Sequence, residues 1–329
     1  MISHSSVYTF EDNKTHRFDV FINSIGYEER AAALVRAGRV SADCFISLSF
    51  EENEVLSFAE NKKVMDRMSA LIVTDVSDFF RTKFRSLIFE KYTIASRSLS
   101  VGIDVSSMNR TMSALALSTM FACKDYIGEF EILYVPAKFS EPTLTFTPID
   151  QVGAVTPELS GFDSEPALPV ALILGLGYEY GTAVGLINQL EPNFTLCLRA
   201  TGGDEKYAEA VRAANLQFDF NPYNVEITEY ELFDVKAAYE HIENIVYSLV
   251  TSYRVVLVPM GPKILAALLV LISLKYFGRV AVWRVARPGQ AGQVIPEKAY
   301  MGAHVRTIDA ISEKNTRLLR EMLEMGQLS

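Results

Sequence analysis

The segments Asp19–Glu29 (DVFINSIGYEE) and Val170–Tyr180 (VALILGLGYEY) repeat one pattern within a single chain. Each begins with an apolar run typical of a buried strand and continues through Gly-Tyr-Glu into a helical pattern. Gly26 and Gly177 therefore hold equivalent places, each at a junction between a strand and a helix. The repeat predicts that the chain contains two copies of one structural unit.

Further strands align in the same order in the two halves. The pairs are Asp43–Ser49 with Thr195–Thr201, Leu71–Asp75 with Val225–Glu229, Ser100–Val105 with Arg254–Val258, and Phe130–Val135 with Val280–Val285. Strands that alternate with helices indicate a parallel sheet covered on both faces. The sequence therefore predicts an α/β fold of two tandem Rossmann-like, doubly wound domains with mainly parallel sheets, related by internal duplication.

The length of 329 residues agrees with two domains. We expect a first Rossmann-like domain over residues 1–139, a linker containing proline and glycine over 140–168, a second Rossmann-like domain over 169–290, and a loop with a C-terminal amphipathic helix over 291–329. Within the linker, Thr143–Thr147 is typical of a β-arm. Arg287–Arg306 is interpreted as a loop and Asp309–Met325 as the terminal helix.

Composition and charge restrict the class of function. The chain has 31 basic and 40 acidic residues, a net charge of −9, so we do not expect general nucleic-acid binding. Three separated cysteines without a CxxC pattern, and four histidines without metal spacing, predict no disulfide scaffold and no metal site. No segment is typical of a secretory signal, and the apolar run Ile264–Leu274 is too short to span a bilayer. We expect a cytoplasmic protein with no membrane contact and no cofactor.

The loops after the first strand of each half are candidate ligand sites, because ligands in open α/β sheets bind beyond the carboxyl ends of the strands. The candidate residues in these loops are Ser24, Gly26, Tyr27, Glu28, Gly177, Tyr178 and Glu179. Tyrosine offers a stacking face, and glutamate accepts hydrogen bonds from hydroxyl or amino groups. The alternative is that glycine only permits a tight turn and that glutamate only complements the helix N-terminus.

The loops after the fourth strand of each half have the composition of an anion site. In the first half, hydroxyls and an amide precede a cation, and in the second half a glycine precedes a cation. The candidate residues are Ser106, Ser107, Asn109, Arg110, Gly261 and Lys263. Arg110 can hold an oxyanion bidentately beside a helix N-terminus. The alternative is that Ser107 is an ordinary helix N-cap and that Arg110 is solvated. The second copy lacks the hydroxyls, so we expect the first copy to hold a phosphate more fully.

A third candidate site follows the second strand of the second half. Gly202 and Gly203 can wrap a ligand there, and Asp204 is either a helix N-cap or an acceptor for a ribose hydroxyl. The sequence leaves both interpretations of Asp204 open.

In layout, both halves resemble the tandem Rossmann-like sensor domains of prokaryotic defence, the CARF and SAVED families. Those families bind oligonucleotide messengers with loops after the first and fourth strands, and the fourth-strand loop carries small polar residues before a Lys or Arg. Ser106–Arg110 and Met260–Lys263 look similar to that loop. The GGT-type loop of those families is absent, and Thr201-Gly202-Gly203 follows a different strand. The resemblance implies a sensor or regulatory subunit for a small nucleotide-like anion, with a protein partner or a homodimer.

Two other functions stay open at this point. The first is an enzyme that acts on a nucleotide or nucleoside, of N-glycosidase or transferase type, with Glu28 or Glu179 as nucleophile or base. The second is a structural partner subunit without a ligand. The sequence contains no GxSxG elbow, HExxH pair or P-loop, so it identifies no catalytic residue.

Two helical segments, Met112–Cys123 and Ile264–Leu274, are apolar around most of their circumference. A helix that is apolar on all sides must be buried. We expect both segments to pack at the interface between the halves or at a dimer interface.

The anion-site hypothesis predicts the effect of removing each cation. Arg110→Ala and Lys263→Ala should each weaken binding of a phosphorylated ligand by roughly 1.5–3 kcal/mol, the range for hydrogen bonds to charged groups. Calorimetric titration of the variants with nucleotides measures this change, and thermal unfolding checks that the fold survives. Unchanged affinity in both variants would contradict the hypothesis.

Overall fold

The computed structural model describes residues 1–50, 54–141, 148–179, 181–216, 225–286, 294–308 and 310–325. The chain forms two compact units. The first unit comprises Met1–Lys138 together with Gln290–Ser329, and the second comprises Phe139–Gly289.

The first unit is built on a seven-stranded sheet. Its strands are β1 (Ile2–Thr9), β2 (His16–Ile25), β3 (Val40–Ser49), β4 (Leu71–Val73), β5 (Ser100–Asp104), β6 (Glu129–Tyr134) and β13 (Ala299–Arg306). They lie in the order β1-β13-β6-β5-β2-β3-β4. The strands from β6 to β4 are parallel to their neighbours, whereas β13 pairs antiparallel with both β6 and β1.

Helices connect the parallel strands of the first unit. They are α1 (Ala33–Arg36), α2 (Phe58–Arg67), α3 (Val76–Asp78), α4 (Phe84–Ala95) and α5 (Arg110–Ala122). A further helix, α10 (Glu313–Met325), follows β13. A 3₁₀ turn, Glu29–Ala32, precedes α1. A π-helical segment, Phe79–Lys83, joins α3 to α4.

The second unit is built on a six-stranded sheet in the order β10-β9-β8-β11-β12-β7. Its strands are β7 (Gln151–Ala154), β8 (Val170–Gly175), β9 (Phe194–Thr201), β10 (Glu226–Glu231), β11 (Arg254–Val258) and β12 (Val280–Ala286). Its helices are α6 (Thr182–Leu190), α7 (Glu205–Ala214), α8 (Val235–Leu249) and α9 (Lys263–Lys275). All neighbouring strands are parallel except β7, which is antiparallel to β12.

The two sheets share one strand order. The series β6-β5-β2-β3-β4 in the first unit corresponds to β12-β11-β8-β9-β10 in the second, and an antiparallel strand lies beside β6 and beside β12. This is the doubly wound order of a Rossmann-like fold, so the predicted fold class is confirmed. The shared order is a likeness of topology, and the internal duplication stays a prediction.

The sequence interpretation is wrong for one antiparallel strand and did not predict two others. Arg287–Arg306 was interpreted as a loop, but its last eight residues form β13. The expected linker contains β7, and the N-terminal segment forms β1. The partners of β1 and β13 come from opposite ends of the chain, and such long-range pairing leaves no local pattern in the sequence. The predicted β-arm Thr143–Thr147 lies outside the described residues.

The two strongly apolar helices are buried as predicted. Every residue from Met112 to Ala122 in α5, and from Ile264 to Leu274 in α9, is buried. In the first unit α10 packs against α5, and Arg320 of α10 donates a hydrogen bond to the Ala122 carbonyl at 2.7 Å. The placement of these helices at an interface between the halves, or between two copies, stays a prediction. Within the described ranges, no helix has the length and apolar character needed to cross a bilayer.

A glycine on a central strand shows how tightly the first unit is packed. The buried Phe18 on β2 lies across Gly102 on β5, and a Cβ on Gly102 would lie 2.5 Å from the Phe18 ring. Gly153 on β7 has open space around its Cβ position instead.

Gly102→Ala should therefore destabilise the protein by about 1–3 kcal/mol, because the added methyl group overpacks the core. Gly153→Ala is the matched control and should leave the free energy of unfolding close to that of the parent. Urea unfolding of both variants measures the difference. Equal stability of the two variants would refute the packing argument.

Candidate functional site

The candidate site of the first unit lies at the carboxyl ends of β2 and β5, where the strand order reverses. From β2 the chain proceeds to β3 on one side, whereas β5 lies on the other side of β2. The loops that follow β2 and β5 therefore flank one crevice. They come into direct contact, because the Ser107 hydroxyl lies 2.8 Å from the position that a Cβ on Gly26 would occupy.

A buried asparagine on α2 fixes the loop after β2. The side-chain amide of Asn61 donates to the carbonyls of Gly26 (2.9 Å) and Glu28 (2.8 Å). Its own carbonyl accepts from the Arg36 guanidinium at 2.9 Å, and the residue is fully buried. The Tyr27 carbonyl accepts from the backbone N–H of Ser57 at 3.2 Å. Three successive carbonyls of the loop thus point towards the start of α2.

This arrangement of carbonyls sets the direction of the amides. In a trans peptide, the N–H group points opposite to the carbonyl of the preceding residue. The N–H groups of Tyr27 and Glu28 therefore point away from α2. Successive N–H groups on one side of a loop form a concave surface that favours anions.

Glu28 and Arg30 form a buried ion pair under this loop. Arg30 Nε lies 2.6 Å from Glu28 Oε2, and its NH1 group donates to the Val135 carbonyl at 3.1 Å. Burial acts to lower the pKa of Arg30, but Glu28 and Tyr134 together raise it above its usual value through their charges and hydrogen bonds. Burial, and then the charge of Glu28, raise the pKa of Tyr27. Glu28 thus ties the loop to the end of β6.

The hydroxyls predicted to cradle an anion after β5 have different surroundings. Ser106 donates to Asp104 Oδ1 and accepts from the Val135 amide at 2.7 Å, so its hydroxyl is used within the fold. Ser107 is buried against Gly26. The alternative interpretation of Ser107 as the N-cap of α5 is wrong. Asn109 caps the helix by accepting from the Met112 amide at 2.8 Å.

The two predicted cations lie at the starts of helices, and Ser24 lies within a strand. Arg110 is the first residue of α5 and Lys263 is the first residue of α9, and each is half-buried. Ser24, the penultimate residue of β2, is buried, and its hydroxyl has no hydrogen-bond partner within the part of the chain that the structure describes.

A cleft of about 460 Å³ opens beside these loops at the carboxyl ends of β3 and β4 and at the N-terminus of α5. Its lining combines hydroxyls, one amide and one carboxylate with an apolar floor, and comprises Ser49, Phe50, Thr74, Asp75, Val76, Ser77, Asn109, Thr111, Met112 and Leu115. Asp75 also caps α3, because its Oδ1 accepts from the Asp78 amide at 2.8 Å. Of the predicted site residues, Asn109 lies in this lining.

The second unit brings the equivalent loops together even more closely. A Cβ on Gly177 would lie 2.9 Å from the Gly261 amide, and a Cβ on Gly261, where φ is +80°, would lie 2.7 Å from the Leu176 carbonyl. Only glycine fits such a contact between backbones. Asn215, at the end of α7, donates to the Gly177 carbonyl at 3.0 Å, as Asn61 does to Gly26.

The remaining predicted residues of the second unit lie around this contact. Tyr178 packs edge-on against Tyr207, with ring centroids 4.9 Å apart. Glu179 is half-buried in the same loop. Asp204 caps α7 by accepting from the Lys206 amide at 3.0 Å, so one of its two predicted roles is confirmed. Gly202 and Gly203 both have φ of +84°, and Gly202 lies against the Glu231 carboxylate.

Sequence reasoning missed the two asparagines and most of the cleft. Asn61 lies on α2, which follows β3, and Asn215 lies at the end of α7, which follows β9. Each donates to the equivalent glycine carbonyl. Asparagine has a low helix propensity. Its presence within a helical pattern is a signal that could have identified Asn61 as a residue with a structural role. Asp75 follows a short strand in a place typical of an N-cap, but its approach to Asn109 depends on the tertiary structure.

Two of the three cysteines, Cys123 and Cys197, are buried, whereas Cys44 is partly exposed. No group of three or more His, Cys, Asp or Glu side chains among them is placed to hold a metal ion. Burial raises the pKa of both the Cys123 and Cys197 thiols to about 12, so both stay protonated at neutral pH.

Comparisons with known proteins add no family. No family model matches the chain, and no curated protein matches it. Among solved structures, the chain is similar to the binary complex of leucoanthocyanidin reductase with NADPH from Vitis vinifera, with 12% sequence identity over 81% of this chain and 92% of that chain. The TM-score of this likeness is 0.23.

The role of Asn61 can be tested by substitution. Asn61→Leu should destabilise the protein by about 1–3 kcal/mol, because buried carbonyls of Gly26 and Glu28 lose their donor. Hydrogen exchange in the loop after β2 should also become faster. Asn193→Leu is the control: Asn193 accepts from the Val170 amide at 2.9 Å but is exposed, so water replaces the lost bond. Equal effects of both substitutions would contradict a special role for Asn61.

Proposed function

We propose that the first unit binds a small nucleotide-like ligand in the cleft between β3, β4 and the N-terminus of α5. The observation that carries the proposal is the cleft itself, which lies at the carboxyl edge of the sheet beside the reversal of strand order. Ligand sites in open α/β sheets occupy this place, and they combine an apolar floor with a few polar groups.

The phosphate of the ligand would lie towards the loop after β2 and the start of α5. The amides of Tyr27 and Glu28 point away from α2 there, and the first turn of α5 adds backbone N–H groups and the Arg110 guanidinium. A helix N-terminus and a guanidinium both favour an anion. The Ser106 hydroxyl is used within the fold, so Arg110 and the backbone amides are the expected phosphate donors.

The other end of the cleft suits a nucleoside. Phe50 offers a half-exposed ring on which a base can stack. Asp75 uses one carboxylate oxygen to cap α3, and a carboxylate has further acceptor capacity for sugar hydroxyls. Ser49, Thr74 and Ser77 add hydroxyls that both donate and accept. This mixture of groups favours a ligand with a base, a sugar and a phosphate over a bare anion.

The burial and ion pairing of Glu28 support a binding function rather than a catalytic one. A nucleophile or general base must reach its substrate, but Glu28 is buried and paired with Arg30 at 2.6 Å. The resemblance in layout to CARF and SAVED domains supports a finer proposal, that the bound nucleotide regulates a partner as in a sensor subunit. Incubation with nucleotides should therefore return the ligand unchanged, as measured by chromatography.

The decisive experiment changes Asp75 without removing the helix cap. Asparagine caps a helix as well as aspartate does. Asp75→Asn should thus keep the melting temperature of the parent while it weakens nucleotide binding by about 1.5–3 kcal/mol, because a charged acceptor is lost. Calorimetric titration with AMP, ATP, NADP⁺ and linear tetra-adenylate measures the affinity.

Asp234→Asn is the matched control, because Asp234 caps α8 in the second unit by accepting from the Ala237 amide at 2.9 Å. It should bind nucleotide as the parent does. The proposal fails if none of the four probes binds the parent, or if Asp75→Asn and Asp234→Asn bind with the parent's affinity.

A further inference from the structure

The C-terminal helix α10 is held on the first unit by a small apolar contact and several polar ones. The residues of α10 that are buried are Thr316, Leu319 and Leu323. An element with few buried apolar residues opens at a lower free energy than the core of its domain. α10 is therefore suited to attach and detach in response to changes elsewhere in the first unit.

Two of the elements that line the cleft also hold α10. The first turn of α5 lines the cleft with Asn109 and Thr111, and the last residue of α5, Ala122, accepts a hydrogen bond from Arg320 of α10 at 2.7 Å. α3 lines the cleft with Val76 and Ser77 and continues into the π-helical segment, which packs against α10. A change in the cleft thus has a short path to α10.

Arg81 joins the cleft to α10 directly. It lies in the π-helical segment, a rare conformation that is frequent at functional sites. Its Nε donates to the hydroxyl of Ser77 at 3.4 Å, and its NH1 group donates to the carbonyl of Leu323 at 3.1 Å. Leu323 lies in the last turn of α10, where carbonyls lack partners within the helix. Because the guanidinium is planar and rigid, the positions of its two acceptors depend on each other.

We propose that Arg81 couples the occupancy of the cleft to the attachment of α10, so that a bound nucleotide holds α10 on the first unit. This inference rests on the proposed function, because it needs a nucleotide in the cleft. A ligand oxygen that accepts from the Ser77 hydroxyl makes that hydroxyl a stronger acceptor for Arg81. Arg81 is then held in the orientation that binds the Leu323 carbonyl. Coupling between two sites is reciprocal, so attached α10 also strengthens nucleotide binding.

Arg85 offers a matched control, because it contacts α10 but not the cleft. Its NH1 group lies 3.3 Å from Oε1 of Glu324, and both side chains are largely exposed. Arg85 is one helical turn from Arg81 and does not line the cleft. Replacement of either arginine by methionine removes one polar contact with α10, but only Arg81→Met breaks the link to Ser77.

The experiment measures hydrogen exchange of residues 319–325 with and without nucleotide. The probe is whichever of AMP, ATP, NADP⁺ and linear tetra-adenylate binds the parent most tightly in calorimetric titration. At saturation it should slow this exchange by about fivefold or more in the parent and in Arg85→Met, the low end for coupled sites. It should not slow the exchange in Arg81→Met. Arg81→Met should also bind the nucleotide about fivefold more weakly than the parent, whereas Arg85→Met should bind as the parent does.

A second variant breaks the same link at its other end. Ser77→Ala removes the hydroxyl and keeps the hydrogen bond from Arg81 to Leu323. Saturating nucleotide should therefore leave the exchange of residues 319–325 unchanged in Ser77→Ala as well. Thermal unfolding checks that each variant is folded.

The outcomes separate this inference from the proposed function. Nucleotide that binds the parent without slowing the exchange of α10 overturns the inference and leaves the proposed function intact. Equal slowing in the parent, Arg81→Met and Ser77→Ala overturns it too, because α10 then responds by another route. If none of the four nucleotides binds the parent, the proposed function and the inference fail together.

Discussion

The close approach of two loops at the carboxyl edge of each sheet is the constraint on which the candidate site depends. In the second unit this approach brings the backbones of Gly177 and Gly261 into contact, and in the first unit the Ser107 hydroxyl lies against Gly26. A side chain at either contact would push the loops apart. The glycines therefore set the distance between two parts of each unit. One part is the loop after the first parallel strand, and the other is the helix after the fourth parallel strand.

A buried asparagine completes this arrangement in each unit. Asn61 and Asn215 supply donors to carbonyls that would otherwise be buried without a partner. In the first unit, the inward carbonyl of Gly26 turns the Tyr27 amide away from α2, whereas the amide that follows Glu28 donates to the Val294 carbonyl at 3.2 Å. The two units differ in what surrounds the loops. In the first, the Ser107 hydroxyl lies against Gly26, whereas in the second the backbones of Gly177 and Gly261 are in contact. The expectation that the first unit holds a phosphate more fully stays a prediction.

The antiparallel strands at the edges set the boundaries of the units. β13 inserts between β1 and β6, so the C-terminal segment completes the first sheet although it follows the second unit in sequence. Lys124, after α5, further attaches this segment: its ammonium group donates to the Ile311 carbonyl at 3.2 Å and pairs with Glu313 at 2.6 Å. The first unit is thus assembled from both ends of the chain.

The sequence by itself determined the parallel strands, the helices between them, the glycine loops and the burial of α5 and α9. These features follow from local patterns: apolar runs of strand length, helical periodicity, and glycine where a tight turn is needed. Only the tertiary structure decided which polar groups face the cleft. Ser106 and Asn109 are both polar, lie three positions apart and form hydrogen bonds within the fold, yet only Asn109 also lines the cleft. The strands β1 and β13, and the meeting of Ser49, Asp75 and Asn109, also depend on contacts between distant segments. Local propensity carries no information on such contacts, because the partners of a strand or a polar group are chosen by packing.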